Sequence, residues 1–236
     1  MTTLALHVNE LTKTYGQLTA LAPLDLSIND GESVALIGHN GSGKTTFLRM
    51  MAGLLESTDG TIDIFGAPAG SERARADLSY LPDNPILYDD LSLWEHAEYI
   101  AKLHGHAEWA DDAQYLLDKL GLAHRADDLP MTFSRGLRQK ASLMLGLIRP
   151  FRLLIVDEPF VGLDNVGKTA LIELLHTAHD NGATLLVATH ELEYLKQVDR
   201  VIALRDGLLV HDGPIGETDV HALVSPDGST PESHTR

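Results

Sequence analysis

The sequence predicts an α/β protein with a mostly parallel sheet, an antiparallel β subdomain near the N-terminus and a helical subdomain inserted in the middle. Short apolar runs rich in branched residues, such as 32–37 and 153–157, are typical of parallel strands that are buried on both faces. Helical patterns alternate with these runs, as they do in α/β folds. Between about 92 and 148 the spacing of apolar residues is helical, which predicts the insert.

The N-terminal part differs from the core, because residues 4–30 alternate between apolar and polar side chains as antiparallel strands do. A break at Tyr15 and Gly16 divides this stretch, and a turn signal at 29–31 ends it. The run 61–65 alternates as well and lies between two glycines. We therefore expect these segments to form a small antiparallel sheet beside the core.

The core and the insert are predicted element by element from apolar spacing and from helix start and stop signals. In the insert, Ser92 and Glu95 have the spacing of a capping box, and helices are expected over 93–104, 110–121 and 135–148. The core strands are expected over 32–37, 78–81, 153–157, 184–189, 200–205 and 208–211, and the core helices over 45–52, 166–180 and 191–197. The domain is expected to span 1–224, followed by a disordered tail over 225–236 that is rich in Pro, Gly, Ser and Thr.

Composition argues against several functional classes. The chain has 236 residues and a formal net charge of −16 at pH 7, which repels the phosphates of DNA and RNA, so no nucleic-acid partner is expected. It has no cysteine, no apolar run near the roughly 20 residues of a membrane span and no signal-peptide pattern, so a soluble cytoplasmic protein is expected. His104 and His106 would diverge on a helix and are interpreted as solvated helix-end residues rather than metal ligands.

A glycine-rich segment, 38–45, matches the pattern G-x-x-x-x-G-K-[ST], whose backbone N–H groups surround nucleotide phosphates. It lies between a predicted strand and a predicted helix, which is the arrangement of a P-loop NTPase core. Lys44 would reach the β- and γ-phosphates, and the hydroxyl of Thr45 would ligate Mg²⁺. The residues expected to contact the nucleotide here are Gly38, His39, Asn40, Gly41, Ser42, Gly43, Lys44, Thr45 and Thr46.

Two carboxylates, Asp157 and Glu158, stand at the end of the apolar strand 153–157. In open α/β sheets, ligands bind at the carboxyl ends of the strands. Asp157 is therefore a candidate Mg²⁺ ligand, and Glu158 is a candidate base that polarises the attacking water. Together with the glycine-rich segment, the two carboxylates predict a protein that binds and hydrolyses ATP.

Over about 1–220 the chain resembles the ATP-binding subunit of ATP-binding cassette (ABC) transporters, and its motifs follow the family's order. Segment 38–45 matches the Walker A loop, and 153–158 matches the Walker B strand with the catalytic carboxylate. Segment 133–140 resembles the family signature, and 162–164 resembles the D-loop. The resemblance implies that ATP and Mg²⁺ bind between two such subunits.

The resemblance also implies roles for single residues. Tyr15 resembles the aromatic residue that stacks on adenine, and His190 resembles the switch histidine at the γ-phosphate. Ser134 and Gly136 of the signature would cover the ATP of a second subunit, and Asp164 of the D-loop is counted with them as nucleotide-binding. The implied catalytic residues are Lys44, Glu158 and His190, and the implied metal ligands are Thr45, Asp157 and Asp83.

Two departures from the family pattern stand out. In the signature, Arg135 and Leu137 replace a glycine and the glutamine of the commonest form, and this variant resembles cassettes that pair with ABC-2-type exporter membrane subunits. Asp83 stands where the family usually has Gln. A carboxylate only accepts hydrogen bonds, and the side chain is shorter, so a water-bridged contact to Mg²⁺ could replace a direct one.

The resemblance implies two partners: a second ATP-binding subunit, in a homodimer or heterodimer, and a separate polytopic permease subunit that docks beside 83–95. This would hold the protein on the inner face of the cell membrane, where it would power transport, with export favoured over import. Three rival classes of protein remain open. They are a soluble ABC-type ATPase acting on ribosomes or other complexes, a DNA-repair or chromosome-organising ATPase, and a metabolic P-loop kinase. Proteins of the first class generally carry two cassettes in one chain.

Overall fold

The computed structural model describes residues 3–214, so the predicted domain end at 224 and the predicted tail 225–236 lie outside the described residues. The strands in this part are β1 (Leu4–Tyr15), β2 (Leu18–Asn29), β3 (Ser33–Ile37), β4 (Asp59–Ile64), β5 (Ala67–Pro68), β6 (Leu78–Leu81), β7 (Leu153–Asp157), β8 (Thr184–Ala188), β9 (Arg200–Arg205) and β10 (Leu208–Gly213). The α-helices are α1 (Lys44–Met51), α2 (Glu72–Asp77), α3 (Leu93–Leu103), α4 (Trp109–Lys119), α5 (Arg135–Leu147), α6 (Asn165–Asp180) and α7 (Leu192–Leu195).

The strands form two sheets, which confirms the predicted fold class. One is a four-stranded antiparallel sheet with the order β2-β1-β4-β5. The other has the order β10-β9-β3-β8-β7-β6, in which β9, β3, β8, β7 and β6 run parallel. Strand β10 pairs with β9 as an antiparallel edge strand. Within residues 3–214, no helix is both long and apolar enough to cross a membrane.

Strand β7 shows why the core runs are continuously apolar. Leu153 and Ile155 pack on the side of the antiparallel sheet and α1. Leu154 and Val156 pack on the other side, among residues of α3, α4, α5 and α6. Because both faces of the parallel sheet are buried, its strands have no polar side to alternate with.

Helices α3, α4 and α5 lie between β6 and β7 in the chain, where the sequence predicts the helical insert. The capping box at the start of α3 is present: Ser92 Oγ accepts from the N–H of Glu95 at 3.2 Å, and the Glu95 carboxylate accepts from the N–H of Ser92 at 2.7 Å. The rings of Trp94 and Trp109 join α3 to α4 with their centroids 5.0 Å apart. The insert therefore has a defined start and a defined packing between its first two helices.

The structure differs from the sequence predictions in some details. Helix α3 ends at Leu103, because Gly105 takes a left-handed conformation (φ 73°) that stops the helix. His104 is therefore the residue at the helix end, and His106 lies beyond it, where Nε2 is 2.8 Å from a carboxylate oxygen of Asp112. Helix α2 and strand β5 were missed, because they are too short for a repeating apolar pattern.

The substitution Ser92→Ala is expected to lower the free energy of unfolding by about 1 kcal/mol, because the N–H of Glu95 loses its acceptor. Urea unfolding followed by circular dichroism measures this as a lower midpoint at unchanged slope. Ser92→Thr keeps a capping hydroxyl and is expected to stay within a few tenths of a kcal/mol of the wild type. An equal loss in both variants would contradict the role of the cap.

Candidate functional site

Three parallel strands bring the predicted catalytic residues, together with Thr45 and Asp157, to one edge of the sheet. Strands β3, β8 and β7 are neighbours in that order, so their carboxyl ends lie together. The glycine-rich loop follows β3, His190 follows β8, and the carboxylate pair stands at the end of β7. A cleft of ≈ 250 Å³ at this edge is lined by Ala20, His39, Asn40, Gly41, Ser42, Gly43, Lys44, Thr45, Thr46, Asp83, Asp157 and Glu158.

The glycine-rich loop has a conformation that requires glycine. Gly38, Gly41 and Gly43 have φ values of 152°, 86° and 104°. At Gly43 a Cβ atom would lie 2.7 Å from the carbonyl oxygen of Ala20, so no side chain fits there. Helix α1 begins directly after Gly43, so the free N–H groups of its first turn open on the cleft. This geometry suits the binding of phosphate groups.

Lys44 places a fixed positive charge in the cleft. The side chain is buried, and Nζ donates to the carbonyl oxygen of Gly38 at 2.5 Å. The same Nζ lies 3.6 Å from Oε1 of Glu158. A buried cation needs such partners, and phosphate oxygens are suitable replacements for the carboxylate when nucleotide is bound.

Thr45 and Asp157 form a set of oxygen atoms that fits Mg²⁺. Thr45 Oγ1 donates to Asp157 Oδ2 at 2.8 Å. The other carboxylate oxygen, Oδ1, is buried and has no hydrogen-bond partner among the described residues. Mg²⁺ prefers hard oxygen ligands, and it takes one or two from the protein together with substrate phosphates. A cation at this position would satisfy the unpaired oxygen.

Burial raises the pKa of Asp157. The hydrogen bond from Thr45 and the positive charge of Lys44 oppose this shift, and the negative charges of Glu158 and Asp83 add to it. Ionisation of Asp157 is therefore less favourable in the folded protein than in the unfolded chain. A bound cation would favour the ionised form.

Glu158 and His190 face each other across the edge of the sheet. Glu158 has a left-handed φ of 48°, which is strained for a residue with a side chain, and its N–H donates to the carbonyl oxygen of Ala188 at 2.9 Å. Its Oε1 lies 3.2 Å from Nε2 of His190. One oxygen of Glu158 is thus close to both Lys44 and His190.

Asp83 follows β6 and reaches the same cleft. Its Oδ2 accepts from the side-chain amide of Asn84 at 3.0 Å. Burial raises the pKa of Tyr80 to about 12, and the charges of Asp157 and Asp83 contribute to the shift. Asp83 therefore adds negative charge to a region that already holds Asp157 and Glu158.

Tyr15, Ser134, Gly136, Asp164 and His190 do not line this cleft, although His190 lies beside it in contact with Glu158. The Tyr15 side chain, at the end of β1, is half exposed, and Nζ of Lys13 lies 5.1 Å from its ring centroid. The ring is thus accessible on the surface, and its predicted role in adenine stacking stays a prediction.

The signature and the D-loop pack against each other within the chain. Ser134 caps α5 by accepting from the N–H of Leu137 at 3.3 Å, and it is exposed. A Cβ atom on Gly136 would lie 2.7 Å from the carbonyl oxygen of Gly162, so the two segments touch through backbone. Asp164 caps α6 and is exposed. These predicted contacts to nucleotide remain predictions, since each residue lies outside the cleft of its own chain.

Ala20 and Gly207, which pack against the glycine-rich loop, were not identified from the sequence. Ala20 lines the cleft, and its carbonyl oxygen is approached closely by Gly43 and by Gly207. The N–H of Gly207 donates to the carbonyl oxygen of Ser42 at 3.0 Å. The only local signal was the turn signal at Asp206 and Gly207, because the contacts come from distant parts of the chain.

Known proteins are similar to this chain in sequence. A family model described as ABC transporter matches residues 21–161. The SkfA peptide export ATP-binding protein SkfE of Bacillus subtilis (strain 168) is 36% identical over 210 residues, which cover 88% of this chain and 88% of that protein. The ABC-type transporter ATP-binding protein EcsA of the same organism is 32% identical and covers 90% of this chain and 88% of that protein.

Solved structures give the same result. A structure described as the ATP binding subunit of an ABC transporter superposes with a TM-score of 0.85 at 32% identity, covering 90% of this chain and 91% of the other. The structure of cbiO1 from Clostridium perfringens, described as part of the ABC transporter complex cbiONQ, has a TM-score of 0.75 at 25% identity. It covers 91% of this chain and 90% of its own.

The substitution Asp157→Asn is expected to stabilise the nucleotide-free protein by about 1 kcal/mol at neutral pH. Because the pKa of Asp157 is raised, its ionised form costs folding free energy above that pKa, and the neutral amide removes the cost. The difference in unfolding free energy between Asp157→Asn and the wild type should shrink as the pH falls through the Asp157 pKa. Thermal unfolding in EDTA measures it.

The exposed acid Asp89 supplies the control, since Asp89→Asn is expected to leave the stability unchanged. An Asp157→Asn protein that is less stable than the wild type at neutral pH would show that ionised Asp157 is not a cost to the fold.

Proposed function

Because the chain belongs to the ATP-binding subunits of ABC transporters, which are ATPases, we propose that it powers the transport of a substrate through a separate membrane subunit. The observation that carries the chemistry is the convergence of Thr45, Asp157 and Glu158 at one edge of the parallel sheet, beside the buried charge of Lys44. Phosphoryl transfer to water needs positioning and charge neutralisation, and this edge offers both.

Five residues at this edge of the sheet have distinct tasks in the proposed reaction. Lys44 and the loop N–H groups hold the β- and γ-phosphates and neutralise part of their charge. Thr45 and Asp157 would hold Mg²⁺, which supplies further neutralisation of the phosphate oxygens. Glu158 orients the attacking water and accepts its proton. His190 holds the γ-phosphate in position relative to Glu158. The 3.2 Å distance between His190 Nε2 and Glu158 Oε1 supports this role.

A second ATP-binding subunit would complete the site. Ser134 is exposed at the start of α5, where its hydroxyl and the free N–H groups of the first turn suit a γ-phosphate held by another copy. In a two-fold dimer the same contact occurs twice, so two ATP molecules would join two subunits and hydrolysis would release them. Homodimer and heterodimer are both compatible with this arrangement.

The membrane subunit is proposed to dock in a groove beside Asp83. The groove, of ≈ 430 Å³, shares the segment after β6 with the cleft, and Arg49 and Arg149 are among the residues that line it. Its apolar wall includes Ile86 and Leu54, which are 96% and 65% exposed. Large exposed apolar side chains that share one groove mark an interaction site, and a partner helix there would act on the chain next to Asp83.

This assembly would hold the protein at the inner face of the cell membrane. The signature variant with Arg135 and Leu137, together with a relative described as serving peptide export, supports export as the direction. A soluble ATPase that acts on ribosomes or DNA has no observation in its favour, and the net charge of −16 opposes contact with nucleic acid.

The substitution Glu158→Gln is expected to lower kcat by about 10²-fold or more, because the amide cannot accept the proton of water. ATP binding should be retained, so the variant should accumulate as an ATP-bound dimer in size-exclusion chromatography with Mg²⁺. Glu173→Gln, at an exposed carboxylate that pairs with Lys119, is the control and should turn over ATP like the wild type. A Glu158→Gln protein that stays monomeric at saturating ATP would count against the dimer.

The substitution Asp83→Gln is expected to raise the kcat of the isolated protein by about threefold, which is less than 1 kcal/mol of barrier. The amide removes a negative charge beside Asp157, reaches farther and can both ligate Mg²⁺ and donate a hydrogen bond. Steady-state ATP hydrolysis over a range of Mg²⁺ concentrations measures the change. Asp83→Glu, which lengthens the side chain but keeps the charge, separates the two effects; an unchanged kcat and Mg²⁺ dependence in Asp83→Gln would refute the role.

A further inference from the structure

An ion pair outside the nucleotide cleft joins helix α6 to the segment that carries His190. Nζ of Lys168 contacts Oε2 of Glu191, and the side chains are only 34% and 21% exposed. The two residues are 23 positions apart, so the pair connects separate elements. It differs in this from exposed pairs within one helix, such as Lys102 with Glu98.

The connection between β8 and α7, in which His190 lies, is only three residues long. On one side of His190, Thr189 is buried, and its N–H donates to the carbonyl oxygen of Leu36 at 3.1 Å. On the other side, the N–H of Glu191 donates to Thr189 Oγ1 at 3.0 Å. The imidazole itself is 41% exposed and faces Glu158. Its position therefore depends on the anchoring of its two neighbours.

Glu191 stands at the N-cap position of α7, yet its side chain makes no capping hydrogen bond. A negative side chain there is well placed for the free N–H groups of the helix. The carboxylate of Glu191 instead contacts Lys168. The side chain of Glu191 therefore contacts α6 and does not cap α7.

Lys168 lies one turn into α6, where the segment that follows Glu158 ends. Its N–H donates to the carbonyl oxygen of Asp164 at 2.9 Å. The Asp164 carboxylate accepts from the N–H of Gly167 at 2.8 Å and lies 3.5 Å from Nζ of Lys140. The ion pair therefore joins the capped start of α6 to the connection that carries His190.

We propose that Lys168 and Glu191 are positioning residues for His190 in ATP hydrolysis. The inference rests on the proposed role of His190 at the γ-phosphate. The ion pair fixes the connection between β8 and α7, so that the imidazole stays beside Glu158. Neither residue of the pair lines the nucleotide cleft, so neither is expected to contact ATP directly, and the pair is expected to change kcat through His190 rather than KM for ATP. A small displacement of a group next to the reacting atoms lowers the reaction rate. Loss of the ion pair would therefore lower kcat by letting the imidazole of His190 move.

The substitutions Lys168→Met and Glu191→Gln are each expected to lower kcat by about tenfold and to leave KM for ATP within about twofold. Lys168→Arg keeps the charge and is expected to retain most of the wild-type kcat. The matched control is Lys196→Met, which removes a pair with Glu193 whose side chains are 65% and 67% exposed, and it should not change kcat. Melting temperatures of all variants show that the comparison is made on folded protein.

The His190→Ala background separates positioning from a general structural role. If Lys168 acts through His190, Lys168→Met lowers kcat by less than about twofold when His190 is already absent. A further tenfold loss in that background, a wild-type kcat for Lys168→Met alone, or a KM that rises as kcat falls would each overturn the inference. Radiolabelled ATP makes the residual turnover measurable.

His190→Ala alone tests the proposed function on which the inference rests. A large loss of kcat in His190→Ala, combined with no loss in Lys168→Met and in Glu191→Gln, would overturn the positioning role but leave the role of His190 intact. A wild-type kcat in His190→Ala would overturn both. The two failures are therefore distinguishable from the same set of variants.

Discussion

The hydrogen bond between Thr45 and Asp157 joins residues that lie 112 positions apart, and the rest of the site depends on the constraint that produces it. Strands β3, β8 and β7 run parallel as neighbours, so whatever follows them meets at one edge of the sheet. Their residues are buried on both faces, which fixes the strand ends. An apolar core thus sets the positions of the glycine-rich loop, the carboxylate pair and His190.

The site itself costs stability, which the core must offset. Asp157 has a buried oxygen without a hydrogen-bond partner among the described residues, and Glu158 has a strained backbone conformation. Lys44 is buried between a carbonyl oxygen and a carboxylate. The protein alone does not supply all the hydrogen-bond and charge partners that these groups need. A bound phosphate group together with a divalent cation would supply the missing partners. We regard this mismatch as the physical basis of nucleotide binding.

Much of the fold, and the grouping of the candidate site around the glycine-rich loop and the carboxylate pair, followed from the sequence, because these signals are local. The glycines of the loop are required by backbone conformation, and continuous apolar runs mark strands such as β7, which is buried on both faces. Helix α2 was missed because six residues show no period. The support of the loop by Ala20 and Gly207, and the pair of Lys168 with Glu191, arise from contacts between distant segments. No local pattern announces such contacts.

We propose that this ATPase works through a separate membrane subunit. The most direct test is to capture the protein from native membranes in mild detergent and to identify the proteins that accompany it by mass spectrometry. We expect a polytopic membrane protein in stoichiometric yield. We also expect that yield to fall for Ile86→Asp, at a side chain so exposed that folding is unaffected. Recovery only from the soluble fraction, with ribosomal or chromosomal proteins, would contradict the claim and leave only the ATPase chemistry.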